Sequence, residues 1–442
     1  MILEEIWRFE NGMKDREGSL CWDLDALFEE IKTGMKRCKE LGKIPVSMGI
    51  DTWAVDYVLL DEKDQVLGKT YGYRDGRTQG VDEDVYKIIS EEELYSRTGI
   101  QKQSFNTIYQ LMAVKKNNPE HLKAAKNFLM LPDYFHFLLT GQKCSEYTNA
   151  TSTQLINAQT NDWDRELIER LGYPQEMFLP LSQPGTLVGS FTKEIEEEVG
   201  FSCEVVLPAT HDTGSAVMAV PGEGDKNLYI SSGTWSLMGI ENKTAICTEE
   251  SRKRNFTNEG GYEYRYRYLK NIMGLWMIQS VRKELENKYS FAELCAMASR
   301  RSDFPSRVDV NDPVFLAPDS MIRAIREMCA KTGHPVPETP DELAAVVYES
   351  LSDSYRETAE EIEGLTGSHY NTICIVGGGS NAEYLNRLTA KKSGRRVLAG
   401  PGEATAIGNL MAQMIQKGEF DTLEQARRCV GTSFSIHEYM PE

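Results

Sequence analysis

The chain carries nine cysteines, Cys21, Cys38, Cys144, Cys203, Cys247, Cys295, Cys329, Cys374 and Cys429, and no two of them are spaced as Cys-x-x-Cys. An odd, scattered set excludes a zinc ribbon or a disulfide framework and fits reduced thiols in a cytoplasmic protein. No apolar run approaches the length of a membrane span, and the opening MILEEIWRFENG is too acidic and too short in apolar residues for a signal peptide. Cations are in the minority: 49 Lys and Arg stand against 67 Asp and Glu, a formal charge of -18. Such a chain lacks the basic face that displaces counterions from nucleic acid or an anionic membrane. The glycine spacing of a dinucleotide site and the Lys-Ser/Thr ending of a Walker loop are also missing, as are low-complexity tracts and repeats.

What is present is enough for two cores. At 442 residues, 40% apolar and 26% charged, the default is two domains with a cleft between them. Val46 to Ile50 and Val55 to Leu60 read as strands, with Asp61 to Gln65 as a polar turn. Asp51, Thr52 and Trp53 then fall at a strand end, where sites are often built. From Asp82 to Thr140 the pattern is helical, with Leu111, Leu122, Phe128 and Phe135 among its apolar positions and Gly141 as the stop. A strand, a charged helix over Thr192 to Val199 and another strand lead to PATHDTGSAVMAV, where a helix is expected from Asp212 or Thr213. That segment is the expected junction, giving domains 1–217 and 218–442.

In the second half, Asn227 to Ser231 reads as a strand, Ser232-Gly233-Thr234 as a turn, and the residues through Leu237 as a second strand. Tyr264 to Trp276 runs from an aromatic strand into a helix. Thr339-Pro340-Asp341-Glu342 combines an N-cap, a proline at the first helical position and a capping-box glutamate. The helix that follows carries Leu343, Val347, Leu351, Tyr355, Ala359 and Ile362 on one stripe. Thr372 to Val376 is a strand, Gly377 to Gly379 a turn and Ser380 to Ser393 a helix, followed by a strand at Arg396 to Leu398 and a helix at Glu403 to Ile415. Alternating strands and helices make the class α/β.

Three segments carry chemistry. IVGGGSNAEYLN (Ile375 to Asn386) puts glycines where a backbone can approach a ligand, and reads equally well as tight packing. SSGTWSLMG (Ser231 to Gly239) can present N–H and hydroxyl donors to phosphates, or be an ordinary hairpin turn. ATHDTGSAV (Ala209 to Val217) sets His211, Asp212 and Thr213 at a strand-to-helix transition. An Asp there is commonly an N-cap, yet it can also accept the proton of an attacking hydroxyl.

In order along the chain, these segments together with IDTWAVD (Ile50 to Asp56), YRDGRT (Tyr73 to Thr78), LPDYFHFLLTG (Leu131 to Gly141), NDWDRELIERLG (Asn161 to Gly172) and QPGTLVG (Gln183 to Gly189) resemble the FGGY family of carbohydrate kinases. The strings TGIQ (Thr98 to Gln101), FNTIYQL (Phe105 to Leu111), EYTNATSTQL (Glu146 to Leu155), TNEGG (Thr257 to Gly261) and LKNIMGLW (Leu269 to Trp276) set it apart from the glycerol and xylulose kinases of that family. The resemblance implies a two-domain actin-like (ribonuclease H-like) fold and ATP-dependent phosphorylation of a ketose at its C1 hydroxyl. L-rhamnulose is the implied sugar, with L-fuculose or a pentulose as alternatives, and Mg2+ bridges the phosphates. It further implies Asp212 as general base; Ala54, His211, Thr213 and Asn271 around the sugar; and Thr234, Gln279 and Gly378 around ATP, with no protein metal ligand. Asn271 and Gln279 are expected at the start of a helix and two turns along it.

The family also opens with a hairpin, rich in glycine and serine, that cradles the ATP phosphates. Met1 to Ile6 aligns with the strand after it, and Pro441-Glu442 falls where relatives continue into a last helix. Two readings follow: a sequence that starts late, or a sugar-binding chain whose turnover is impaired.

Overall fold

The computed structural model describes residues 1–222 and 227–441. The chain divides into two units, Met1–Met218 with Asn242–Tyr268 and Thr405–Ala426, and Ala219–Glu241 with Leu269–Ala404 and Arg427–Glu442.

The first unit is built on a three-stranded sheet in the order Leu187–Ser190, Glu204–Val206, Ser47–Met48, the last pair being parallel. Leu139, Ile195, Val199 and Val205 pack into one apolar cluster. The charged helix forms at Lys193–Val199, capped by Thr192, whose hydroxyl accepts from the Ile195 N–H, and ended by Gly200 in the left-handed region.

The stretch expected to be helical from Asp82 to Thr140 does supply helices, but Phe128 lies on a strand, Asn127–Met130, paired antiparallel with Tyr57–Leu60. Phe128, Leu129 and Met130 are buried in succession, so no alternation marks the strand and its apolar run passes for a helical face. Met1 to Ile6 forms no strand either. Ile2 is 92% exposed.

The second unit carries the strand order Tyr266–Met273, Trp235–Asn242, Asn227–Ser232, Thr372–Val376, Arg396–Ala399, His437–Tyr439. Asn227–Ser232, Thr372–Val376 and Arg396–Ala399 run parallel, while Trp235–Asn242 is antiparallel to its neighbour Asn227–Ser232. A meander followed by parallel crossovers is the ribonuclease H-like arrangement. The capping box at Thr339 and Glu342 opens a helix over Pro340–Thr366, and the stripe from Leu343 to Ile362 is fully buried. Each of its leucine, valine and isoleucine side chains contributes roughly 1.5–3 kcal/mol.

All nine cysteines are free thiols. Among the described residues no helix is long and apolar enough to cross a membrane.

Candidate active site

Asp212 stands at the first position of the helix Asp212–Met218. The segment before it is sewn to Ile50–Ala54: Thr52 N–H donates to Thr210 O and Asp212 N–H donates to Thr52 O, each at 2.9 Å. Thr52 and His211 thereby form a parallel bridge. Glu146 ties down the same loop from below. It is fully buried and accepts from Thr148 N–H, Thr148 Oγ1, Asn149 N–H, Thr210 N–H and Thr210 Oγ1.

Ala54 precedes Val55, a β-branched residue at φ 67, in the left-handed region that such residues avoid. The surroundings over-determine this conformation. Val55 O accepts from Thr107 Oγ1 and Gln110 Nε2, and its N–H donates to Ser152 Oγ. Next to it, buried Asp56 accepts from Trp22 Nε1, Trp53 Nε1, Gln110 Nε2 and Tyr73 N–H. Burial outweighs these donors and raises its carboxyl to about 6.

Around Asp212 the charges are arranged tightly. Its Oδ1 accepts from Thr213 N–H at 2.6 Å and from Thr213 Oγ1 at 3.2 Å, and lies 3.6 Å from His211 Nε2. Oδ2 has no protein partner among the described residues. Although 47% of the side chain is accessible, the protein packed about it raises the carboxyl above its ordinary value by desolvation, against the Thr213 hydrogen bonds and the Arg267 charge. Asp51 is pushed up to about 7 by burial, with the nearby charge of Asp212 adding to the shift and a hydrogen bond from Asn409 opposing it. Asn409 Nδ2 donates to both Asp51 Oδ2 and Gly49 O, and is itself oriented by Gln413 Nε2 on its Oδ1. A carboxylate with one free oxygen and a raised pKa, held on a rigid strand-to-helix junction, is equipped to take a proton from a hydroxyl.

The first unit thus brings Ala54, His211, Asp212 and Thr213 together. Thr234, Gln279, Gly378 and Asn271 lie on the second unit. There the turn Ser232–Thr234 and the glycine turn are neighbours: Gly377 sits at φ 83, and a Cβ on it would come 2.8 Å from Ser232 O. A Cβ on Gly379 would overlap the Ser232 side chain. Gly378 is exposed with open space at its Cβ position, and Thr234 is exposed too. Beside the glycine turn a pocket of about 920 Å³ opens, with Ser380, Asn381, Tyr384, Arg307 and Lys391 on its wall, roomy enough for a nucleoside. Replacing Gly379 by Val should therefore raise KM for ATP about tenfold or more while sugar affinity stays put, as titration of each substrate would register.

Gln279 is on the helix Trp276–Glu284, whose start rests on the Ser232–Thr234 turn through Leu275 N–H to Gly233 O and Trp276 N–H to Thr234 O. Asn271 does not begin that helix. It lies on the strand Tyr266–Met273. Aromatic and β-branched residues favour that strand, and Gly274 must follow it because a Cβ there would meet the Trp235 backbone at 2.5 Å. Arg267, Glu259 and Asn409 were not singled out, and Asp51 was placed at a strand end where sites are often built without a role of its own. Arg267 alternates with tyrosines along the aromatic strand and is completely buried.

One group, buried Asp133 and His136 with half-buried Cys144, has ligand-type atoms within 4.8 Å of one another. His136 Nε2 already accepts from Ile50 N–H at 2.9 Å, so its other nitrogen holds the proton, and burial pushes the Cys144 thiol up. His136 thereby fixes the backbone at Ile50, next to Asp51.

An α/β chain of two units, with a carboxylate junction on one and a glycine-lined turn pair on the other, has the construction of a kinase acting on an alcohol. Residues 10–219 match the N-terminal domain of the FGGY family of carbohydrate kinases, and residues 228–416 match its C-terminal domain. The chain belongs to that family and is a sugar kinase. It is 54% identical over 438 residues to Rhamnulokinase of Halalkalibacterium halodurans, covering 99% of this chain and 93% of the relative. It is 50% identical to Rhamnulokinase of Oceanobacillus iheyensis (99% and 93%) and 42% identical to that of Bacillus subtilis (100% and 90%). Its fold is that of xylulose kinase from Lactobacillus acidophilus, with TM-score 0.79, 16% identity and coverage of 97% and 87%. Plasmodium falciparum glycerol kinase with ADP is similar at TM-score 0.77, 12% identity and coverage of 98% and 89%.

Proposed function

We propose that the chain transfers the γ-phosphoryl group of ATP to the C1 hydroxyl of L-rhamnulose, giving L-rhamnulose 1-phosphate in L-rhamnose breakdown. The observation that carries the reading is Asp212 itself, a carboxylate with one unpartnered oxygen at a junction fixed by Thr52 and Glu146, in a chain 54% identical to a Rhamnulokinase.

Asp212 takes the proton as O1 attacks; the new O1–Pγ bond forms while the Pγ–O bond to the β-phosphate breaks, and ADP leaves with that electron pair. His211 and Thr213, the backbone at Ala54 and the Asn271 side chain hold the sugar. Thr234 meets the phosphates, Gln279 faces the nucleotide, and Gly378 lies against the adenosine. Mg2+ bound with the ATP would supply charge neutralisation on the transferred group, with no ligand from the protein required. In this reading the sugar domain is 1–217 and the nucleotide domain 218–442.

Phosphorylation of L-rhamnulose, with ADP release coupled to NADH oxidation and the product's phosphorus coupled to C1 protons by NMR, tests it. Phosphate at another carbon would sink it. The base must be ionised to act, so kcat/KM should fall as pH drops through the raised Asp212 pKa, above the ordinary carboxylate value. A pH–rate profile flat down to pH 4 would remove Asp212 from the role.

A further inference from the structure

The two ring nitrogens of His211 have different neighbours. Nε2 faces the Asp212 side, 3.6 Å from Oδ1. Nδ1 faces inward, 3.0 Å from Arg267 Nη2 and 3.4 Å from Glu259 Oε2. A guanidinium has only donors. A proton on Nδ1 would point an N–H at an N–H, and among the described residues its alternative acceptor is the more distant Glu259.

Arg267 cannot turn away from this contact. Its side chain is wholly buried, Nε donates to Gly260 O at 3.0 Å, and Nη1 meets Glu259 Oε2 at 3.0 Å. Gly261 brings the chain back against it: a Cβ there would come 2.8 Å from Arg265 O and 3.6 Å from Arg267 Cγ. Glu259 sits on the strand Thr257–Gly260, and Gly260 is itself crowded by Tyr147 and Thr151. The backbone N–H of His211 is spent on Thr148 Oγ1 at 3.4 Å.

We infer that Arg267, anchored by Glu259, is a positioning residue that fixes His211 as the neutral Nε2–H tautomer, so that a donor and not an acceptor is presented on the Asp212 side. The consequence is directional. A sugar hydroxyl bound beside Asp212 can accept from His211 Nε2–H and donate to the Asp212 carboxylate, which orients its proton toward the base. With the opposite tautomer two acceptors would compete for one hydroxyl proton. Arg267, Glu259 and Asp212 are the charged groups facing the ring, and burial together with the Arg267 charge keeps it neutral.

The role in sugar binding rests on the reading of the substrate given above; the tautomer does not. The test uses the 442-residue chain labelled with 15N in histidine, with the His211 signals assigned by their loss in His211→Gln. At neutral pH, Nδ1 should show the shift of an unprotonated nitrogen and Nε2 that of a protonated one. Arg267→Met alone strands a buried carboxylate, so the informative variant is Arg267→Met with Glu259→Gln, which removes both charges together. This double variant should give a mixture of His211 tautomers. It should also raise KM for L-rhamnulose about tenfold with kcat within about threefold, as expected for one lost ground-state hydrogen bond, and Arg267→Lys should be intermediate. A wild-type Nδ1 that carries the proton, or a folded double variant with tautomer and KM unmoved, overturns the inference. If the tautomer behaves as stated but the wild type phosphorylates no L-rhamnulose, the substrate reading falls and the Arg267 assignment stands.

Discussion

Asp212→Asn should lower kcat for phosphorylation of L-rhamnulose by about 10³-fold, within the usual 10²–10⁴ contribution of a general base. The substitution keeps the Thr213 contacts to Oδ1 but cannot take a proton. Sugar affinity by calorimetry should stay within about threefold, because the carboxylate acts on the hydroxyl proton in the transition state more than on the bound ground state. A variant with near-normal kcat would move the base elsewhere in the chain. One that lost sugar binding together with turnover would make Asp212 a binding group.

Glu146→Ala should destabilise the first unit by about 3 kcal/mol, the scale of a buried charged group whose hydrogen-bond partners are left unpaired. Glu146 serves as the N-cap of the helix Tyr147–Thr151 and as the clamp on Thr210, so its loss frees donors on two elements at once. A thermal midpoint lower by several degrees is expected, with weaker sugar binding because Thr210 adjoins His211 and Asp212. The carboxyl is raised above its ordinary value by desolvation. Its folded pKa therefore exceeds its unfolded one, and its contribution to stability is greatest at low pH and declines as pH rises through the raised value. A Glu146→Ala protein with an unchanged midpoint and unchanged sugar affinity would show that the loop is held by its backbone pairing to Thr52 alone.

Local signals in the sequence carried much of the architecture. Thr339 and Glu342 announced the long helix, Gly141 and Gly200 ended helices as left-handed caps, and the strand-to-helix break at Asp212 fell where the chain places it. These features are set by residues within one or two turns of each other, so a linear reading reaches them. Phe128 and Asn271 were misplaced for the opposite reason. Whether an apolar or mixed run becomes strand or helix depends on a partner strand far along the chain, Tyr57–Leu60 in the first case and Trp235–Asn242 in the second. Arg267, Glu146 and Asn409 were harder still. Their roles arise from contacts across 56, 64 and 358 residues respectively, and no spacing rule spans such distances. A string such as EYTNATSTQL marked a relationship without disclosing that its glutamate organises the loop that leads to His211 and Asp212.

The most direct test of the central claim is a comparison of kcat/KM for L-rhamnulose, L-fuculose, D-xylulose and glycerol, measured with MgATP on the 442-residue chain and on Asp212→Asn. L-rhamnulose should be phosphorylated at C1 with the highest kcat/KM by about tenfold or more, since a reversed hydroxyl leaves buried polar groups in the pocket unpaired, and Asp212→Asn should lower turnover of every sugar by about 10³-fold. A higher kcat/KM for another of these substrates, or ATP hydrolysis that proceeds at full rate without sugar and survives Asp212→Asn, would contradict the account.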